Sequence, residues 1–276
     1  MTIPALELND GNSIPQLGYG VFKVPPAETE RAVSEALEIG YRHIDTAAMY
    51  GNEEAVGAGI AASGIRREEI FLTTKVWWTE LAPDALRASA EASLKRLGTP
   101  YADLIHIHWP AKGMDLAASL TALAKLRTDG LARAIGVCNF PPGLLKQALD
   151  LRIAPIACLQ VECHVYLWQE RLAALCRQHE LALTAYSPIA KAQVNDDPVM
   201  QGVAKKHGAT PVQVAIAWLL AQPNLVAIPK SGRAQGQKEN LAAASLTLDA
   251  GDMAAIAALP KDRRLVNPDF APDWAA

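Results

Sequence analysis

The sequence predicts an α/β fold, a closed (β/α)8 barrel, and three observations predict it. Short apolar or β-branched runs alternate with helical patterns at a spacing of roughly 25–40 residues, eight times over, and such alternation implies a parallel sheet with helices outside. The 276 residues suit one barrel of about 250 residues better than an open doubly wound sheet with its five or six strands. Half of the residues are hydrophobic, enough for a sizeable core.

Each element follows in order. Residues 6–12 hold the turn dipeptide Asp10-Gly11 and read as a small hairpin. Strand one, at 16–20, precedes a helix carrying Val33, Ala36 and Leu37. Strand two, at 42–46, precedes an alanine-rich helix from Asn52. Strand three, at 70–76, precedes a helix with Leu86, Ala90, Leu94 and Leu97 on one face, Pro83 in its first turn and Gly98 past its end. Strand four, at 103–108, precedes a helix with Leu116, Leu120, Leu123 and Leu126, closed by Gly130. Strands five and six, at 133–138 and 158–162, precede helical stretches at 144–149 and 170–179. Strand seven, at 181–186, precedes two helices, the second opened by Thr210 as cap and Pro211 in its first turn. Strand eight, at 225–229, precedes a helix at 235–244. The Pro-rich tail from Lys261 to Ala276, with Phe270 and Trp274, reads as a loop over the barrel mouth. No stretch reads as a linker, so 1–276 is expected to be one domain.

Composition excludes several classes. Lys plus Arg number 26 against 29 Asp plus Glu, a net charge of −3, which offers no basic field to nucleic acid. No apolar stretch approaches the ~18 residues that span a bilayer. The first residues lack a basic segment and an apolar segment, so no signal peptide is expected and the expected location is the cytoplasm. Cys138, Cys158, Cys163 and Cys176 form no C-x-x-C pair and are too sparse for a disulfide scaffold, so they read as reduced thiols.

Chemistry in such a barrel sits at the carboxyl ends of the strands. Those ends carry Asp45 with Tyr50 close behind, Lys75, His108, Gln160 and Glu162, Tyr186 and Ser187, and Lys230 and Ser231. Strand alternation puts Asp45 on the face of His43, Lys75 on that of Thr73, and His108 on that of His106, all toward the barrel interior. A lysine buried there needs a counter-charge, and Asp45 is the available one. A cation beside Tyr50 favours the phenolate and lowers a pKa that starts near ~10. Lowering it by ~3 units takes about 4 kcal/mol, and yields a proton donor to a developing alkoxide. His108 is placed to orient a carbonyl by a hydrogen bond. Any one of these residues alone reads as readily structural as catalytic. Four at one mouth are a stronger joint signal.

A family resemblance sharpens this. Gly40-Tyr41-Arg42-His43-Ile44-Asp45-Thr46-Ala47, followed by Tyr50-Gly51-Asn52-Glu53, resembles the first signature of the aldo-keto reductases. Thr74-Lys75-Val76-Trp77 resembles the lysine strand of that family, and Asp103 to Pro110 its histidine strand. Gly136-Val137-Cys138-Asn139-Phe140 and Ile228-Pro229-Lys230-Ser231 resemble its cofactor segments. The likeness runs from residue 14 to the C-terminus. Within the family, residues 4–22 and Arg264-Leu265-Val266-Asn267-Pro268 are most similar to the bacterial 2,5-diketo-D-gluconate and methylglyoxal reductase group.

The resemblance implies a TIM-barrel, NADPH-dependent carbonyl reductase. Tyr50 would be the general acid, Lys75 would lower its pKa, Asp45 would pair with Lys75, and His108 would position the carbonyl. The nicotinamide would stack on Tyr186, its amide held by Asn139 and Gln160, with Ser187 also in the cofactor site. Lys230, Ser231 and Arg233 would meet the 2′-phosphate, and Glu239 and Asn240 the adenine. From the residues themselves, Phe22, Trp77, Trp78, Trp109, Phe140 and Trp274 are candidate walls of an apolar, aromatic cleft, with Trp77, Trp78 and Trp274 reading as readily as packing residues. The expected substrate is a small dicarbonyl or keto-sugar, and the family's simpler members imply a monomer. Three positions depart from the family pattern. Cys138 replaces a serine, Leu159 an asparagine, and Gly236 an arginine that would contact phosphate and adenine. NADPH stays the expected cofactor through Lys230, with NADH tolerated.

Two rival functions are open at this stage. His106-Ile107-His108 has the H-x-H form of a metal pair and, with His164 and Asp45, would suit a metal-dependent hydrolase, though Lys75 in the same mouth disfavours a cation. We favour instead a hydrogen-bonded core histidine for His106 and no metal site. The other rival is an NADPH-binding regulatory module with little turnover. Gly57-Ala58-Gly59-Ile60-Ala61-Ala62 fits a dinucleotide fingerprint, but it lies inside a helical run and reads as close helix packing.

Overall fold

A computed structural model describes residues 3–275. The chain opens with the expected hairpin, β1 (Ala5–Glu7) antiparallel to β2 (Ser13–Pro15). Leu8 and Ile14 pack with Phe71, Leu104, Ala134, Cys158, Ala182 and Val226, at the N-terminal ends of the barrel strands. The hairpin therefore plugs the bottom of the barrel and leaves the top free.

Eight parallel strands follow: β3 (Tyr19–Gly20), β4 (His43–Asp45), β5 (Phe71–Val76), β6 (Ala102–Ile107), β7 (Ala132–Cys138), β8 (Cys158–Glu162), β9 (Ala182–Tyr186) and β10 (Leu225–Ala227). They pair in sequence order from β3 to β10. A parallel bridge between Leu17 and Ala227 joins the two edges, with Gly18 N–H donating to the Ala227 carbonyl at 2.9 Å and Ala227 N–H to the Gln16 carbonyl at 2.8 Å. The barrel is thus closed, which leaves no unpaired strand edge.

The outer helices are α1 (Pro26–Ile39), α2 (Glu53–Ala62), α3 (Pro83–Leu97), α4 (Leu116–Thr128), α5 (Pro142–Asp150), α6 (Glu170–Gln178), α7 (Pro198–His207), α8 (Pro211–Leu220), α9 (Ala234–Ala242) and α10 (Ala250–Ala257). Proline opens α1, α3, α5, α7 and α8, where its missing N–H costs nothing. Thr210 and Gln213 form a full capping box on α8, and Gly98 ends α3 in the left-handed conformation. Gly57 and Gly59 lie inside α2: a Cβ on either would come within 2.5 Å of the Leu97 or Glu30 carbonyl oxygen. They let α2 seat closely on α3 and α1, as the rejected fingerprint suggested.

One element has no counterpart in the sequence reading. In α10 only Met253 and Ile256 are large and apolar, too few for a periodic signal. Tertiary partners hold it: Lys206 and His207 on α7 bond the Asp252 side chain at 2.8 and 2.7 Å, and Asp249 and Asp252 make a capping box. Residues 260–275 form no helix or strand, as expected of the tail. All four cysteines are free and buried, and among the described residues no helix is long and apolar enough to cross a membrane.

Candidate active site

Strand ends bring the expected catalytic residues together. Asp45 closes β4, Lys75 is the penultimate residue of β5, and His108 follows β6. Tyr50 ends a short 3-10 turn, Ala48–Tyr50, just after β4. Lys75 Nζ donates to Asp45 Oδ1 at 2.5 Å, to the Thr46 carbonyl at 2.8 Å and to the Tyr50 hydroxyl oxygen at 3.2 Å. Its three donors are therefore all used. Because the phenolic oxygen accepts from Lys75, the Tyr50 proton is left to point elsewhere.

Burial alone would weaken the Lys75 ammonium, but Asp45 and Tyr50 outweigh it and hold its pKa above the ordinary lysine value. Tyr50 corrects the sequence expectation. Burial pushes its phenol up to about 12, and Lys75, the largest opposing influence, only partly offsets this. The result is a fully protonated phenol at neutral pH, not a strongly acidified one. His108 is buried, and burial followed by the charge of Lys75 drives its pKa well below 6.5, so it is a neutral imidazole. Its ring meets Tyr50 edge-on at 5.6 Å and Trp77 at 5.1 Å.

His106 is fully buried and neutral for the same reason, but neither ring nitrogen makes a hydrogen bond of good geometry. That corrects the expected hydrogen-bonded core histidine. Gly136 on the neighbouring strand makes room for the ring, since a Cβ there would lie 2.6 Å from it. His164 turns to Glu162, with Nε2 and Oε1 3.1 Å apart. Among the described residues no three His, Cys, Asp or Glu side chains are grouped to hold a metal ion.

The expected nicotinamide residues join this network. Asn139, in the left-handed conformation that asparagine tolerates, donates Nδ2 to the His108 carbonyl at 3.0 Å and accepts from the Tyr186 hydroxyl at 2.9 Å. Gln160 donates Nε2 to Asp45 Oδ2 at 2.8 Å, a partnership the sequence reading missed. Ser187 follows β9 with a positive φ of 51°.

The residues expected at the far end of the cofactor lie apart, around the start of α9. Lys230 and Arg233 are exposed. Ser231 Oγ is turned back, accepting from the Arg233 N–H at 3.2 Å and donating to the Arg233 carbonyl at 3.0 Å. A Cβ at Gly236 would meet that Oγ at 2.4 Å, so the glycine and this serine rotamer belong together. Glu239 accepts from Gln235 Nε2 at 2.9 Å, and Asn240 is buried.

The expected pocket walls divide. Phe22, 45% exposed, packs on Tyr50 with ring centroids 4.9 Å apart. Trp77, Trp78 and Trp109 all contact Phe270 of the tail, at 5.4, 5.4 and 5.5 Å, and Trp109 also meets Trp274 at 6.0 Å. Phe140 is fully buried in the main core cluster. Phe270 was absent from the expected walls, and its one sequence signal was an aromatic ring in a polar, Pro-rich tail.

What this fold and this mouth define is an oxidoreductase barrel. The chain belongs to the aldo/keto reductase family, whose sequence profile matches residues 16–261. It is 44% identical to an aldo-keto reductase of Mycobacterium sp. (strain KMS) over 270 residues, 98% of this chain and 97% of that one. It is 40% identical to methylglyoxal reductase DkgB of Escherichia coli O157:H7 over 266 residues, 95% of this chain and 99% of the other. A solved structure bearing the provisional name 2,5-diketo-D-gluconic acid reductase B superposes with a TM-score of 0.96 at 38% identity, over 100% of this chain and 98% of that one. The chain is therefore an enzyme of a carbonyl-reducing family that uses NAD(P)H.

Proposed function

We propose that this enzyme reduces small aldehydes or ketones, of the dicarbonyl or keto-sugar type, with NADPH, and that Tyr50 donates the proton. The observation that carries this is the contact of the Tyr50 hydroxyl with a fully buried Lys75 that is itself paired to Asp45.

The residues present fit a phosphorylated dinucleotide. Among the described residues, Lys230 and Arg233 have no ion pair or side-chain hydrogen bond, and α9 opens without a side-chain cap. Two free cations beside uncapped backbone N–H groups suit a phosphate. Lys230, Arg233 and, after a rotamer change, Ser231 would hold it, with Asn139, Gln160 and Tyr186 at the other end. When bound, the nicotinamide supplies the hydride. Gln160 enters that role with one of its two N–H donors already given to Asp45, which leaves its amide oxygen and its second N–H. Loss of a guanidinium at Gly236 narrows the preference for NADPH over NADH.

The chain's own groups do the rest. His108, neutral, donates a hydrogen bond that orients the carbonyl oxygen without surrendering a proton. Tyr50 donates its proton to that oxygen as negative charge develops, and Lys75 stabilises the phenolate that remains. Phe22, Trp77 and the tail aromatics keep water away. The enzyme works in the cytoplasm as a single-domain monomer.

Absorbance at 340 nm with methylglyoxal tests the reading. NADPH is consumed by the wild type, chelator leaves the rate unchanged, and Tyr50→Phe lowers turnover by about 100-fold or more. Full turnover by Tyr50→Phe overturns the mechanism. Chelator-sensitive hydrolysis, or NADPH bound without oxidation, would favour the rival functions.

A further inference from the structure

Glu162 ends β8, two residues beyond Gln160 and on the same face of the strand. It is fully buried, yet the proton-donor network at the mouth does not use it. Its carboxylate points instead at the tail. Oε1 accepts from the Leu265 N–H at 2.8 Å and Oε2 from the Val266 N–H at 3.0 Å. His164 completes the set. Its Nδ1 accepts from the Tyr166 N–H at 3.3 Å, which leaves Nε2–H to donate to Oε1. Arg264, stacked over Trp274 at 3.7 Å, adds its charge 3.9 Å from Oε2. The Leu265 peptide is gripped from its other side as well, its carbonyl accepting from Lys191 Nζ at 3.0 Å.

A segment without helix or strand has little to hold its own shape. Just before Leu265 the Arg263 N–H donates to the Tyr166 carbonyl at 3.0 Å, and the next two peptides are held by a carboxylate on the rigid strand that also carries Gln160. The same segment delivers Phe270 and Trp274 to the tryptophans beside His108. We infer that Glu162 is a positioning residue for substrate: by holding the tail at Leu265 and Val266, it sets the aromatic mouth and the selectivity between bulky and small carbonyls. This rests on the reading that the mouth receives a carbonyl substrate.

The test compares the full-length wild type with variants of the anchor and of the tail. Glu162→Ala removes both acceptor oxygens, Glu162→Gln keeps one, and Val266→Pro removes a donor without touching the strand. Trypsin cleavage at Arg263 and Arg264 reports tail release without turnover. Steady-state kinetics with 4-nitrobenzaldehyde and with methylglyoxal report the mouth. The expected result is faster tail cleavage in Glu162→Ala and Val266→Pro, with the NADPH dissociation constant unchanged. KM for the aromatic aldehyde rises about tenfold or more while kcat for methylglyoxal holds, as loss of charge-assisted bonds in an anchor demands. Glu162→Gln is intermediate, and Phe270→Ala adds little to Glu162→Ala. Unchanged cleavage in Val266→Pro overturns the inference, and so does released tail with unchanged KM. A wild type that reduced no carbonyl would defeat the functional reading, and the cleavage arm would still decide whether Glu162 holds the tail.

Discussion

Gln160 Nε2 lies 2.8 Å from Asp45 Oδ2, on the oxygen that Lys75 does not use. The buried carboxylate is gripped from two sides, by a cation on β5 and an amide on β8. Gln160 therefore holds Asp45 in the geometry that keeps Lys75 against Tyr50. Replacing Gln160 by Leu leaves one Asp45 oxygen buried and unpaired, at about 1–3 kcal/mol. We expect thermal stability to fall and kcat to fall by tenfold or so in consequence. Calorimetry and steady-state kinetics check both, and unchanged values would show that the amide contact is incidental.

Lys75→Met leaves Asp45 buried without a counter-charge, a change that costs about 3–5 kcal/mol. Denaturant unfolding should show this, together with loss of reductase turnover. Adding Asp45→Asn to the same chain should restore part of the stability and none of the activity. Equal losses in the single and double variants would mean that the two residues do not act as a pair.

Tyr50, with its phenol pushed up to about 12, should stay protonated through the whole neutral and mildly alkaline range in the free enzyme. Ultraviolet difference titration of wild type against Tyr50→Phe measures this directly. A phenolate signal from Tyr50 appearing near pH 8 would show that Lys75 outweighs burial. Tyr50→Phe should also lower kcat/KM by about 100-fold or more, the scale of positioned acid catalysis.

Acid sensitivity comes from the barrel interior. Burial, the largest cause, lowers His43 to about 4, and His106 and His108 fall well below 6.5. Below pH 6.5 the unfolded chain binds protons that the folded one refuses, so stability is lost as pH falls. For His43 the loss runs from about 6.5 to about 4 and amounts to about 3 kcal/mol. His43→Gln should flatten the slope of unfolding free energy in that window. The same slope in both proteins would assign acid sensitivity to other groups.

Gly236→Arg restores a planar cation near Lys230 but forces Ser231 off the Arg233 backbone, where its Oγ would clash with the new Cβ. We expect NADPH affinity to tighten about tenfold with NADH affinity unchanged, the scale of one charge-assisted contact. Titration of each cofactor by fluorescence decides it. Equal tightening of both would place the new side chain away from the 2′-phosphate.

The number and order of the strands, and the inward faces of Asp45, Lys75 and His108, were legible in the sequence. Alternation and spacing are local properties, and each strand reports its own. The cap of α8 at Thr210 was legible for the same reason, while the Gln213 half of its capping box and α10, with two large apolar residues, were not read from the sequence. Partner choice was not legible either. Gln160 reaches Asp45 across 115 positions of sequence, and Glu162 reaches Leu265 across 103, because barrel closure sets their registers and brings distant strands and the tail to one mouth. The same closure decided the protonation of Tyr50 and the isolation of His106. A charge beside a phenol can be inferred from residue order, but the depth of burial that opposes it exists only once the chain has folded.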